Sequence, residues 1–510
     1  MKITWKRIAA ALLAGALAVT TSACGGTGDS GSSNQQSATS GNSAQETTDN
    51  GEVVKLRMWG FGYTSTSDDL AAVSEAVSEI TRDKIGVEVE IVRESDAEKL
   101  NLAMNSGEQW DLVNYHTYSG GLTTLVNNGM VTPLDDLVDE YGQDAVAAVG
   151  EDMLRAGTIN GVLYSVPSVN VWSNGYGMAI SQEALDEVGI DASTLKTWDD
   201  VHEAFLAMKK ANPDMYPLVP AWAGGGMQKA FAFDNLGTGF WDALGVLEDA
   251  SSDSTTVVNM YETESYKNFV EMMYQWNQEG LLMPDATTTT QATNDLIGTV
   301  GYACIENISP DKRQSLELGT YWGNGKKGAL VQLVDPFISS DAGGSSYFIP
   351  AVSEHADKAM QLWNLMYTDV ELENLLVNGI EGTDFEFTDD THKTVQKIDG
   401  STYDVMGWTW PNCSIAATQE GIAPDIWNLN QEQDAAASIS PALGFKFDNS
   451  MVMNEITACN NVIAKYETGL RWGQLDPEET LPQFNEELYN AGLQTIIDEK
   501  QAQLDAFLAQ

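Results

Sequence analysis

Four cysteines in 510 residues are too few for a disulfide framework to hold the fold. One of them, Cys24, stands near the amino end, so Cys304, Cys413 and Cys459 allow at most a single bridge, whose pairing spacing does not decide. Basic residues are also scarce: 26 Lys and Arg face 74 Asp and Glu, for a formal charge of −48. Phosphate backbones need clustered cations, so nucleic acid is a poor partner, and anionic headgroups repel the body of such a chain. Beyond the amino-terminal segment no run is apolar enough to cross a bilayer, because the 43% hydrophobic residues are dispersed among polar ones. The four histidines, at positions 116, 202, 355 and 392, form neither H-E-x-x-H nor a Cys/His zinc spacing. There is no G-x-S-x-G elbow and no D-x-[DN]-x-[DN]-G calcium loop. No catalytic residue, metal or cofactor is therefore assigned, although so many carboxylates leave open a carboxylate pair of the kind glycoside hydrolysis uses, or bound calcium.

What is present begins with an export signal. Lys2, Lys6 and Arg7 precede a short apolar run, Ile8 to Val19, and the small residues Thr21-Ser22-Ala23 lead into Cys24. The run is shorter than the roughly 20 residues a permanent span requires. This pattern resembles bacterial lipoprotein signals, which implies a lipidated Cys24 as the first mature residue, a palmitate-type membrane anchor and an extracellular location. Gly25 to Glu52 contains no apolar residue larger than alanine and reads as a disordered tether spanning on the order of 30 Å.

The ordered region opens with a strand, VVKLRMW (53–59), then a helix from Ser67 to Lys84 with Leu70, Val73, Val77 and Ile80 on one face. VEVEIV (87–92) alternates as a strand, 96–106 reads as a helix and DLVNY (111–115) as a third strand, completing a βαβαβ unit of a parallel sheet. Helices are expected at 198–211, with Thr197 and Asp200 forming a capping box, and at 227–246 and 262–279. Strands follow at 298–306 and 345–351, and helices at 354–369, 450–470 and 480–509. There is no internal repeat.

The order of elements, with KLRMWGFG (55–62), SGEQWDLVNY (106–115), NGMVTPLDDLVDEYG (128–142), INGVLYSVPS (159–168) and SEHADKAMQLWNLMYTD (353–369), resembles the extracellular solute-binding lipoproteins of ABC importers, in the sugar-receptor branch. NGIEGTDFEF (378–387), PALGFKFD (441–448) and AGLQTIIDEKQAQLDAF (491–507) are similar to a subgroup carrying an extra carboxyl-terminal domain of undefined role. The resemblance implies an α/β fold of type II, two lobes with a ligand cleft between them, no enzymatic chemistry, and ABC permease subunits as partners of a monomeric receptor. The expected division is a signal peptide (1–23), a tether (24–52), lobe 1 (53–166 plus about 335–385), lobe 2 (167–334) and a carboxyl-terminal helical extension packing on the lobes (386–510). GNGKKG (323–328) satisfies G-x-G-x-x-G, but ALVQLV (329–334) has strand propensity where a phosphate site requires a helix, so it reads as a turn connecting the lobes.

Ligands of open parallel sheets bind beyond the carboxyl ends of strands, which points to WGFGYTSTS (59–67) and NYHTYSGG (114–121). Both combine aromatics with small polar groups, a composition suited to the flat faces and hydroxyl edges of an oligosaccharide. Trp110, Trp198, Trp276 and Trp363 fall inside strand or helix patterns and are assigned to the core. Trp172, Trp222, Trp408 and Trp410 interrupt loops and are candidate ligand contacts, against interlobe packing as the plain alternative. Trp59 and Tyr63 in the first loop join them; Tyr115, His116 and Asn170 match cleft-lining positions of the family. Many sugar-binding relatives carry charged residues in these first two loops, whereas here stand Tyr63, Thr64 and Thr117, so the sugar class stays open. Two further readings remain: a receptor of the same fold for peptides or another small solute, and a surface-anchored glycoside hydrolase.

Overall fold

The computed structural model describes residues 53–60, 65–94, 97–116, 122–221, 230–237, 242–323, 325–340, 342 and 345–509. Its strands, in chain order, are β1 (Val54–Gly60), β2 (Val87–Arg93), β3 (Leu112–His116), β4 (Thr158–Ile159), β5 (Val162–Leu163), β6 (Val166–Pro167), β7 (Asn174–Ser181), β8 (Tyr216–Leu218), β9 (Gly301–Ile308), β10 (Gly328–Ile338), β11 (Ser345–Phe348), β12 (Phe385–Phe387), β13 (Thr394–Lys397), β14 (Thr418–Gln419) and β15 (Ser438–Ile439). Two five-stranded sheets organise the fold, in the orders β2-β1-β3-β11-β6 and β15-β10-β7-β9-β8. Helices cover both, giving a two-lobed α/β architecture.

The first sheet begins as the sequence predicts. The helix Ser67–Ile85 starts at a Thr66/Asp69 capping box, ends on Gly86 in the left-handed region, and buries Leu70, Val73 and Val77 against β1 and β2. Ser74 and Ser78 on that helix face accept from the amides of Ile91 and Val89 at 3.0 and 2.9 Å, tying the helix to an edge strand. The second sheet is antiparallel at its centre, where β7 pairs with both β9 and β10. Gly177 permits that close approach, because a Cβ there would lie 1.9 Å from the Val331 carbonyl oxygen.

Three sequence expectations are corrected. The helix expected over 227–246 is not formed in its described parts: Leu236 and Gly237 take φ of 62° and 68°, and Asp234 bridges to Leu247. GNGKKG connects the helix Pro310–Leu318 to β10 inside the second sheet, so it joins two elements of one lobe and not the two lobes. The single helix over 480–509 is two, Pro477–Asn490 and Leu493–Leu508, broken at Gly492, whose φ of 108° is disfavoured for any residue with a side chain. Cys304, Cys413 and Cys459 are all buried free thiols, so the one bridge they could have supplied is absent. Among the described residues no helix is long and apolar enough to cross a membrane.

The carboxyl-terminal region is divided between the two cores. Residues 385–397 and 418–419 form a small sheet, β12-β13-β14, and Tyr403 and Trp410 join the core of the first sheet. Phe445, Phe447, Cys459, Trp472, Phe484, Ile496 and Leu504 join Met178, Phe205 and Trp276 in the core of the second. Phe484 packs on Tyr261 and Tyr466 with ring centroids 4.6 and 5.2 Å apart. Lys500 on the final helix is wholly buried; it bonds Asp242 at 3.0 Å and the Gly245 carbonyl at 2.8 Å. Removing one member of a buried ion pair leaves the other charge uncompensated. Lys500→Ala is therefore expected to destabilise the protein by roughly 3 kcal/mol, read by urea unfolding, with the final helix becoming the first site of proteolysis.

A second buried group makes stability depend on pH. Glu373, on the helix Val370–Asn378, is fully buried and accepts the Asn412 amide at 3.2 Å. Burial pushes its carboxyl well above the usual glutamate range, against that one amide. The folded chain thus holds a proton that the unfolded chain releases, so stability falls as pH rises from the ordinary glutamate pKa toward the raised one. Glu373→Gln keeps the shape without the charge. It is expected to match the parent near about pH 4 and to exceed it by about 1 to 3 kcal/mol near pH 7, in denaturant titrations at the two pH values.

Candidate functional site

Strand direction locates the site. β1, β2 and β3 are parallel, and β11 runs antiparallel to both β3 and β6, so Gly60, His116 and Pro167 end at the edge where Ser345 begins. In the second sheet β8 and β9 are parallel and β7 opposes β9 and β10, so Ile308 and Ile338 end where Asn174 begins, while the shorter β8 runs the same way and stops level with Ala303. The chain passes between sheets from Pro167 to Asn174 and from Ile338 to Ser345. The carboxyl ends of the parallel strands of both sheets therefore open toward the crossing segments, where ligands of such sheets bind.

Hydrogen bonds lock the crossings to one another. The Val169 amide donates to Pro411 at 2.7 Å, Ser168 to Ser345 at 2.9 Å, and Ser440 to Ile338 at 2.8 Å, all to carbonyl oxygens. Asp434 accepts the amides of Trp172 and Ser173 at 3.0 and 2.8 Å, and Asp234 accepts that of Ser340 at 2.8 Å. Burial raises the Asp434 carboxyl above the ordinary aspartate value, while the Ser173 and Trp172 donors pull it back. On the first lobe, Asn114 Nδ2, Tyr347 OH and Ser345 Oγ all donate to the Thr409 carbonyl, at 2.7, 3.0 and 3.1 Å.

Pinning Thr409 separates the tryptophans on either side. Trp408 is 37% exposed, while Trp410 is 1% exposed and packs in the first core. Asn170 Nδ2 donates to the Trp408 carbonyl at 3.1 Å, and Trp172, half-buried, donates Nε1 to Ser168 at 2.9 Å. Asn170, Trp172 and Trp408 thus gather at the first crossing. Other expected contacts turn inward. Trp59 is 5% exposed and meets Trp110 edge-on at 5.0 Å. Tyr115 is buried against Phe348, its hydroxyl accepting the Leu122 amide at 3.1 Å. The reason for Trp59, Tyr115 and Trp410 is the same: the pleat and the pinned carbonyl aim them at the core, which alternation in loop-like sequence does not reveal. Tyr63, Trp222, Cys24 and the His116 side chain lie outside the described residues. Trp110, Trp276 and Trp363 are buried, as their patterns imply, and Trp198 packs half-buried on Trp276.

A feature missed in the sequence lies beyond β8 and β9. Ala221, Thr293, Asn294, Glu306, Tyr321 and Trp322 line a recess of about 420 Å³, within the size range of small-molecule sites. Glu306 stands near the end of β9; the next residue, Asn307, bonds Asn174 at 3.3 Å, and Gln433 links the Ile308 carbonyl to Ser173. The recess therefore adjoins the crossing. Its signal in sequence is a single carboxylate in the otherwise uncharged run GYACIENI. Among the described residues no group of three or more His, Cys, Asp or Glu could hold a metal ion. An open edge with an exposed indole, amide groups and one deep carboxylate can bind a polar solute with flat apolar faces.

Residues 63–371 match the family of bacterial extracellular solute-binding proteins, and residues 441–509 match a domain of unknown function. A carbohydrate ABC transporter substrate-binding protein of Streptococcus pneumoniae serotype 4 is 25% identical over 477 residues, covering 92% of this chain and 94% of its own. Among solved structures, the N-glycan transport solute binding protein of Streptococcus pneumoniae superposes with a TM-score of 0.80 at 23% identity, over 90% of this chain and 99% of that one. An HMO-binding, ABC-transporter-associated solute binding protein from Bifidobacterium longum infantis gives 0.58 at 16% identity, over 89% and 99%. The family match spans well over half of the sequence and includes every strand of the two sheets except β1 and β15, together with both crossings, and so the chain belongs to the bacterial extracellular solute-binding proteins.

Proposed function

We propose that this protein captures an oligosaccharide outside the cell and delivers it, chemically unchanged, to the permease of an ABC importer. The observation that carries the reading is the convergence of both sheets' strand ends on hydrogen-bonded crossings that hold Asn170, Trp172 and Trp408 together. An indole face and amide donors suit a sugar ring, which presents a flat apolar side and a rim of hydroxyls. The pneumococcal relatives support the carbohydrate class, one being a carbohydrate transporter subunit and the other an N-glycan transport protein. Closure of the lobes about the crossings is the proposed signal to the permease, since a ligand touching both lobes favours the closed state through its differential affinity. The Thr21-Ser22-Ala23-Cys24 segment supports lipidation at Cys24 as the membrane anchor.

The direct test is titration with oligosaccharides, Man5GlcNAc among them, followed by calorimetry, small-angle scattering and recovery of the solute. A saturable fall in radius of gyration with intact sugar is expected. Cleaved sugar would revive the hydrolase reading, and the absence of binding across neutral and acidic sugars would remove the carbohydrate reading altogether. Trp408→Ala and Trp172→Ala should each weaken binding by about 1 to 3 kcal/mol, with Trp408→Ala leaving the melting temperature of the free protein nearly unchanged. For the anchor, mass spectrometry of membrane fractions should find acylated Cys24 in the parent. Cys24→Ala should abolish acylation and leave the protein released or held only by an uncleaved signal; a parent without lipid would refute the anchor.

A further inference from the structure

The recess beside β9 contains a carboxylate in an unusual state of hydrogen bonding. Glu306 is 8% exposed. Its Oε1 accepts from Lys312 Nζ at 2.8 Å and from the Asn307 amide at 3.0 Å, and its Oε2 from the Tyr321 hydroxyl at 2.5 Å. A carboxylate offers about four lone-pair positions. Three are occupied, and the remaining one belongs to Oε2, in a side chain that lines a recess of about 420 Å³. The rest of the lining is apolar or neutral, including Cys304, Trp322, Thr293 and Asn294. Lys312, the cation at this carboxylate, is already engaged by Glu306 and lies 5.7 Å from the Tyr321 ring centroid.

We infer that this recess receives a neutral sugar unit of the ligand, which donates a hydroxyl or amide hydrogen to Glu306, and that Glu306 discriminates against acidic sugars. The inference rests on the oligosaccharide reading above and adds to it the charge class of the ligand. A hydroxyl or N-acetyl N–H can fill the last acceptor position; a sugar carboxylate cannot, because it brings only acceptors. It would also place a second negative charge beside the buried carboxylate of Glu306, a juxtaposition that interfaces use to reject wrong partners. The formal charge of −48 adds a long-range field of the same sign against anionic solutes.

The test begins with the intact soluble chain on an array of neutral oligosaccharides (oligomannose, oligofructose and milk-type) and acidic ones (sialylated and uronate-containing). Calorimetry then uses the tightest neutral binder and an acidic analogue of equal length. The parent should prefer the neutral sugar by about tenfold or more. Glu306→Gln should weaken neutral binding about tenfold and narrow the preference, because the amide replaces one acceptor oxygen by a donor while removing the charge. Should that variant fail to fold, hydrogen exchange on the parent decides: the neutral sugar should slow exchange across 290–294 and 320–323. An acidic sugar bound as tightly as the neutral one overturns the inference. So does a Glu306→Gln variant with parental affinity and preference, or binding without protection of those segments; in each case the oligosaccharide reading stands. Silence of the whole array overturns both.

Discussion

Everything distinctive about this fold depends on how its buried crossings are hydrogen-bonded. A segment passing between two sheets leaves the ladders of both, yet its N–H and C=O groups cannot be left without partners where water is excluded. Here the crossings satisfy one another. Val169 bonds Pro411, Ser440 bonds Ile338, and the carboxylates of Asp434 and Asp234 take up the amides of Trp172, Ser173 and Ser340. These bonds form a belt that ties the crossings to neighbouring segments, among them Pro411, Asp434 and Asp234.

The same belt accounts for the division of the carboxyl-terminal residues. After β14 the chain enters the helix Ile426–Ala436, supplies Asp434 to the first crossing, and adds β15 to the edge of the second sheet beside β10. Leu443 packs in the first core, while Ala442 and Phe445, on either side of it, pack in the second. The remaining helices are anchored in the second core by apolar burial and by the Lys500–Asp242 pair. The domain of unknown function at 441–509 thus shares its core mainly with the second lobe.

Chemistry at the open edge is divided between two kinds of group. The first lobe presents Trp408 and Asn170 near the crossing, a platform with an amide beside it. The second presents the recess around Glu306, in which a buried carboxylate is held in one orientation by Lys312, Tyr321 and a backbone amide. A platform tolerates many sugars, since every pyranose has an apolar face. A deep acceptor with one open position is selective, since it demands a donor in one direction.

Several features were legible in the sequence because they depend on local periodicity or on composition. Leu70, Val73 and Val77 set the face of the first helix, Thr197 and Asp200 cap the helix Trp198–Ala211, and the buried Trp110, Trp276 and Trp363 lie in regular patterns. The scarcity of cysteine likewise needed no structure to argue against a disulfide scaffold, and Cys304, Cys413 and Cys459 are free. Tertiary structure alone decided which loop aromatics face solvent. Trp408 and Trp410 are two residues apart in one irregular segment, and only the donors converging on the Thr409 carbonyl from strands about 60 to about 300 residues away in sequence turn one outward and the other into the core. It also decided that residues 230–237 would not be helical, since the left-handed turn at Leu236 and Gly237 is stabilised by Asp234 reaching across to Ser340. The burial of Glu306 was hidden for the same reason: a strand glutamate reads as a solvated residue until Lys312 and Tyr321, brought by the following helix and turn, close around it. Local periodicity is written in neighbouring residues, whereas the direction of a side chain at a crossing is set by partners that only the folded chain brings within hydrogen-bonding distance.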